Sequence, residues 1–351
     1  MFLTAVIFII ILGLLIFVHE LGHFLVAKKS GVKVEEFAFG FPPRIFSFKK
    51  GGTNYSINLI PLGGYVKMLG EEEDIDKPGS FHAKSPWVRS GIVVAGVIMN
   101  FLLAIILMTI GFTVGMTPLV SDPATMGGVK ESRVMVTYVQ PDSAAAKAKI
   151  ENGTILNGFS SPSELQTFTR ANLGKEVDIS TTYNSQTKLI KVKLSENKDA
   201  PFGVGIVSIT KVKQPIHQAF VTSIVETGRS ISTLFSFLGT IIKNLFTTGH
   251  PGEEAAGVVG PVGLFNFTGA AIKLGWIYVL QLVIILSINL GIVNILPYPA
   301  LDGGKLLFLV LEGIFKRKVI RMEIENAIHM VGFALLIILF LLITLRDLNI
   351  F

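Results

Sequence analysis

The first 23 residues read MFLTAVIFIIILGLLIFVHELGH. No charge interrupts Met1 to Val18, and then His19, Glu20 and His23 fall within five positions. An apolar run of that length is close to what a helix needs to cross the hydrocarbon core. Helix positions four apart share a face, so His19 and His23 point the same way. Ionisable groups are costly inside a membrane and mark function by default. H-E-x-x-H on a helix is a zinc-site pattern: two imidazoles bind the ion, and the glutamate is general base toward a water that the metal activates. His19 and His23 are therefore expected zinc ligands, and Glu20 the expected catalytic base.

Working outward, half of the 351 residues are hydrophobic and only 16% are charged, against about a quarter charged in soluble domains. The deficit comes from long apolar runs at roughly 1–18, 91–117, 276–296 and 328–345, each near the span length. The first run lacks a basic n-region and a small-residue cleavage site, which favours a retained span over a signal peptide. Lys and Arg crowd the 24–90 and 303–327 segments, which predicts that both are cytoplasmic. Both termini and the long 118–275 segment then lie outside. The net charge of +6 marks this topology and some attraction to anionic lipid. No basic-aromatic motif accompanies it, so nucleic acid is not an expected partner. The absence of cysteine excludes disulfides, thiolate zinc sites and cysteine catalysis.

A catalytic zinc needs a third protein ligand. Spans one and three both run inward, and the third ends in NILPYPALDGG, residues 294–304. Its prolines and glycines suit irregular backbone that lines a cavity. Asp302 reaches the same side as the histidines and is the expected third ligand. The alternative is that Asp302 caps a helix starting near Lys305. His82, His217, His250 and His329 are expected to be structural or incidental.

Between the spans, FAFGFPPRIFSFKK and TNYSINLIPLGGYVKM read as strand pieces around Gly51-Gly52. The phenylalanines at 37, 39, 41, 46 and 48 suit a sheet dipping into the membrane, the alternative being a surface hairpin. EEEDIDKPGS at 71–80 reads as a solvated acidic loop. Residues 130–208 read as a mixed strand and helix module, with VMVTYV, VDISTTY and TKLIKVKL as strands and PDSAAAKAKIENG as turn, short helix and glycine stop. Residues 216–249 predict an amphipathic interfacial helix in preference to a fifth span.

HELGH at 19–23, FAFGFPPRIFSF at 37–48, INLIPLGGYVKM at 57–68, KSPWVRSGIVVAGVIMNFLLA at 84–104, GPVGL at 260–264 and NILPYPALDGG at 294–304 together resemble the site-2 protease family of intramembrane zinc metalloproteases. The likeness is nearest to the bacterial regulator-of-sigma-E protease type. It covers both ends of the chain well and the middle poorly. The resemblance implies an α-helical polytopic membrane protein with four transmembrane helices, a membrane-associated β-hairpin region and one extracytoplasmic PDZ-like α+β domain.

The implied organisation is an N-terminal membrane half at 1–117 with the hairpin loop at 36–66. A PDZ-like domain follows at 118–215, an interfacial amphipathic segment at 216–275 and a C-terminal membrane half at 276–351. The implied roles are zinc binding by His19, His23 and Asp302, water activation by Glu20 and substrate-backbone binding by Asn294. The implied substrates are single-span membrane proteins such as anti-sigma factors, and remnant signal peptides, cut in the cell inner membrane near its cytoplasmic side. The family's G-D-x-I-x-x-I-N-G stretch reads GTILNGF at 153–159 here, a departure that bears on terminal-carboxylate binding. Its A-G-P reads Ala95-Gly96-Val97, a change expected to touch a kink and no catalytic atom.

Two other classes compete. A non-catalytic PDZ scaffold would be expected to lose Glu20 first. A metal transporter would be expected to show an inverted repeat, and none is detectable.

Overall fold

The computed structural model describes every residue except 72–76, 184–185, 198, 251, 253–256 and 349–351. Most of the acidic loop at 71–80 therefore lies outside the described residues. Two compact units emerge, one of Met1–Leu107, Ser230–Gly269 and Leu282–Phe351, the other of Met108–Arg229 and Ala270–Gln281.

In chain order, helix α1 is Phe2–Lys29, strands β1 and β2 are Val34–Lys50 and Thr53–Met68, and α2 is Pro86–Val114. Then come β3 (Val129–Val139), α3 (Ala144–Lys147), β4 (Ile155–Leu156), α4 (Pro162–Ala171), β5 (Glu176–Tyr183), β6 (Gln186–Lys193) and β7 (Val204–Lys213). The chain closes with α5 (Ile216–Thr248), α6 (Pro261–Leu274), α7 (Trp276–Ile295), α8 (Asp302–Phe315) and α9 (Met322–Asp347). Among the described residues, α1, α2, α7 and α9 are long and apolar enough to cross a membrane. These are the four spans read from the sequence. The 33-residue α5 is not among them, because serines and threonines recur along it and Glu226, Arg229 and Lys243 interrupt it.

In the first unit, β1 and β2 bend so that two strands make four arms. Glu36–Phe39 pairs with Lys67–Gly64 on one side and with Asn54–Ile57 on the other. The second of these pairings runs in the same direction on both segments. Residues 46–50 then pair back onto 57–53. The arms lie in the order 44–50, 53–57, 36–39, 64–67. Phe37 stacks on Phe24 of α1 at 4.9 Å, whereas Phe41, Phe46 and Phe48 stay exposed. Ala27, Val32, Val34, Met68, Phe81, Ile92, Val93 and Leu309 form a core around the base of this sheet. Burying such side chains is the main favourable term, about 1.5–3 kcal/mol for each large one.

The second unit carries an antiparallel five-stranded sheet in the order β6-β5-β4-β3-β7. Val134, Val136, Leu156, Leu165, Ile179 and Val192 close its core. Ser161 caps α4 through the Glu164 amide, with Pro162 opening the helix, a pairing that satisfies orphan N–H groups and pre-sets φ. Ser143 caps α3. The expected glycine stop of this short helix is not where the helix ends. Lys149 takes the left-handed turn at φ +58°, and Gly153 serves a later one at +88°.

Candidate metal centre

α1 brings His19 and His23 together on one face, with the rings edge to face at 4.7 Å and the two Nε2 atoms 3.1 Å apart. The third group arrives from the far end of the chain. Pro297 and Pro299 cannot continue α7, and the chain turns back sharply to open α8. A Cβ on Gly303 would sit 2.1 Å from the Leu296 carbonyl oxygen, and one on Gly304 would sit 2.5 Å from that of Tyr298. Only glycine permits so tight a return. Asp302 opens α8 after Leu301 at the N-cap, so the alternative of Asp302 as a helix cap is not what the structure shows. Its Oδ2 lies 3.0 Å from His19 Nε2 and 3.3 Å from His23 Nε2.

These three atoms fit a metal better than they fit one another. Ligands about 2.0–2.1 Å from a tetrahedral zinc lie roughly 3.3 Å apart, near the three observed edges. His23 Nδ1 donates to the Ile92 carbonyl at 2.9 Å, which leaves Nε2 of the neutral ring with a lone pair and no proton. That lone pair faces a carboxylate oxygen that is itself buried without a hydrogen-bond partner among the described residues. A cation resolves the clash of acceptors.

Neighbouring residues complete the setting. Asn294 Nδ2 lies 3.3 Å from His19 Nε2, so the structure brings this predicted residue to the cluster. Glu20, His23 and Asp302 line one cavity of about 640 Å³ with Lys305 and the 65–71 stretch, which runs from the outer arm of the sheet into the turn beyond it. Lys305 pairs with Glu71 at 2.9 Å. Burial would lower this ammonium, but Glu71 outweighs it and raises it. Of the other histidines, His82 approaches Arg89 and His329 approaches Ala300. Neither joins the cluster, while His217 lies in the first turn of α5 and His250 two residues past its end.

Two contributors escaped the sequence reading. Gly96 was expected to touch no catalytic atom, yet a Cβ there would lie 2.4 Å from His23 Nε2 and 2.7 Å from His19 Cε1. One step before it, the Ala95 carbonyl oxygen would be 2.4 Å from a Cβ on Gly22. Bare backbone on both helices lets the histidines reach the cluster. Asn100, also on α2 and fully buried, faces His19 Nδ1 at 3.2 Å. The sequence offered a signal for Gly96 only as a helix-breaking residue inside an apolar run.

The profile of peptidase family M50 matches residues 7–339. A candidate zinc metalloprotease of Clostridium acetobutylicum is 35% identical over 352 residues, covering 99% of this chain and 97% of its own. Zinc metalloprotease RasP of Bacillus licheniformis is 30% identical over 437 aligned residues, covering 99% of each chain. The regulator of sigma-W protease RasP of Bacillus subtilis is 29% identical over 446, covering 99% of this chain and 98% of its own. Four helices long and apolar enough to span a membrane, a convergent cluster of acceptors brought together by α1 and α8, and these likenesses lead to one conclusion: the chain belongs to peptidase family M50, the site-2 proteases, and is an integral-membrane zinc metalloprotease of regulated intramembrane proteolysis.

Proposed function

We propose that His19, His23 and Asp302 hold the zinc, that Glu20 is the general base and that Asn294 binds the substrate backbone. The observation that carries this reading is the meeting of three acceptor atoms at 3.0–3.3 Å with no proton to share between His23 and Asp302. Zinc bound there supplies Lewis-acid polarisation of the scissile carbonyl and lowers the pKa of a water. Glu20, on the cavity wall, takes a proton from the attacking water and passes it to the leaving amine. The Asn294 amide, beside the His19 ring, donates to a substrate carbonyl oxygen.

A transmembrane substrate keeps its amides inside its own helix, so it must unwind before it is cut. Residues of low helix propensity near the cut ease that step. The outer arm at 64–67 has no strand partner on its far side among the described residues, and Tyr65, Val66 and Lys67 face the cavity. An unwound segment adds there as a further strand, with backbone hydrogen bonds for affinity and alternate side chains for selection. The exposed Phe41, Phe46 and Phe48 carry the far arms into lipid.

Lys and Arg in the 24–90 and 303–327 segments favour a site toward the cytoplasm, with the five-stranded unit outside the cell. That unit is a single PDZ-like module that screens substrates by the bulk of their outer parts. The alignments with RasP extend over 437 and 446 positions against 351 residues here. The difference is about the size of one small module, in keeping with one here. Substrates are single-span membrane proteins, anti-sigma factors among them, and remnant signal peptides.

The test is cleavage of a tagged single-span substrate by the purified full chain beside Glu20→Gln, with zinc measured in both. Wild type should cut, and Glu20→Gln should keep its zinc and lose at least about 100-fold in rate, the usual scale for general acid–base catalysis. A Glu20→Gln protein that cuts at the wild-type rate would remove Glu20 from the mechanism.

A further inference from the structure

α9 meets the Asp302 loop through two residues almost one turn apart, His329 and Gly332. A Cβ on Gly332 would lie 2.3 Å from Pro299 Cβ and 2.6 Å from the Pro299 carbonyl oxygen. The Gly332 carbonyl accepts from the Tyr298 hydroxyl at 3.3 Å. Between these contacts, the Ala300 N–H donates to His329 Nδ1 at 2.8 Å. Ala300 stands at φ +78°, a left-handed conformation that strains a residue with a Cβ and persists only where its surroundings enforce it. Asp302 follows two residues later.

The polarity of that hydrogen bond is fixed. A backbone N–H can only donate, so Nδ1 must accept, and the neutral ring carries its proton on Nε2. That Nε2 is buried and has no hydrogen-bond partner among the described residues. The ring also meets Phe308 edge to face at 6.0 Å. A histidine that only filled space would turn its N–H to a partner. This one leaves a buried donor unmet, which is unfavourable, while its acceptor holds the one strained amide of the loop.

We propose that His329 is a positioning residue for Asp302: its Nδ1 holds Ala300 in the left-handed turn that aims the carboxylate at His19 and His23. This rests on the reading of Asp302 as a zinc ligand. Without the acceptor, Ala300 relaxes to ordinary φ, the chain direction changes two residues before Asp302, and the carboxylate leaves its 3.0–3.3 Å edges. His329 is then an outer partner of the metal site that sequence spacing could not connect to it.

Two substitutions separate positioning from packing. His329→Phe keeps the ring and the contact with Phe308 but removes the acceptor. His329→Asn removes the ring but places Oδ1 where Nδ1 was. The readouts, on the full-length protein in detergent, are zinc affinity by chelator competition and the visible spectrum of the Co²⁺-loaded site. His329→Phe should weaken zinc binding at least about tenfold, the usual loss for an outer-shell partner, and shift the cobalt bands. His329→Asn should recover most of both. If His329→Phe binds zinc like wild type, or His329→Asn loses as much as His329→Phe, the positioning role is overturned. Asp302→Ala is run alongside: wild-type zinc affinity there would overturn the ligand assignment itself, whereas loss there with an unaffected His329→Phe would overturn only the positioning role.

Discussion

Replacing Gly96 by alanine adds one methyl group, and the structure says where it must go. It would lie 2.4 Å from His23 Nε2 and 2.7 Å from His19 Cε1, where ordinary contacts begin near 3.4 Å. The His23 ring must therefore retreat by about 1 Å. The helices cannot share the displacement cheaply, because Gly22 already abuts the Ala95 carbonyl. Overpacking of this kind costs about 1–3 kcal/mol, while glycine to alanine inside a helix returns roughly 1 kcal/mol. Net folding stability should thus fall by no more than about 2 kcal/mol. Zinc binding should suffer more selectively, because a ring moved by about 1 Å no longer meets His19 Nε2 and Asp302 Oδ2, its proposed fellow ligands. We expect zinc affinity at least about tenfold weaker, which is about 1.4 kcal/mol, and cleavage about 100-fold slower, as for a comparable misplacement of reacting groups. Chelator competition and a single-span substrate measure the two effects. Gly91→Ala is the control, since it lies on the same helix with nothing within 4 Å of a new Cβ. It should bind zinc and cut like wild type. Gly96→Ala with wild-type zinc affinity and rate would refute the close packing at the site.

Two further outcomes follow from the same packing. If His19 binds zinc through Nε2, its Nδ1 carries a proton and needs an acceptor, and Asn100 is the group facing it at 3.2 Å. Amide oxygen and nitrogen can exchange places there. Asn100→Leu should lower zinc affinity about 10- to 100-fold, the range for outer partners of metal-bound histidines, and Asn100→Asp should not. Equal binding by wild type and Asn100→Leu would dismiss this role. The Arg89–Glu312 pair is 2.5 Å long with side chains 4% and 19% exposed. Arg89→Met strands a carboxylate and should cost about 3–5 kcal/mol, whereas changing both partners to apolar residues should recover much of it. Thermal unfolding of the three proteins in one detergent decides the matter. An unchanged midpoint in Arg89→Met would show the pair to be idle.

The parts legible in the sequence are those encoded locally or by long periodic runs. Four apolar stretches announced four helices, and the i, i+4 spacing of His19 and His23 put both imidazoles on one face. Asp302 was reachable by side and depth, although nothing in 294–304 announced that α8 would begin at Asp302 itself. The hairpin region was legible as strands, but not its register. Glu36–Phe39 takes partners on both sides, and alternation along a strand reports a face, not a neighbour. Gly96 was misjudged for a similar reason. A glycine in an apolar run suggests a kink, and its actual role lies across the helix interface, where only the partner helix gives it meaning. The glycine stop of α3 failed because Lys149 accepts the left-handed turn itself.

The cluster joins residue 19 to residue 302, and that separation has a bearing on how the protein is made. Chains grow at about 5–20 residues per second, so at that pace roughly 15 to 60 s pass between synthesis of His19 and of Asp302. Throughout that interval the first helix holds two histidines and a glutamate without their carboxylate partner. α9 and its hold on the Ala300 turn come later still. A nascent chain threading past other unfolded membrane segments, its own among them, therefore lacks the assembled cluster of His19, His23 and Asp302 until α8 has been made.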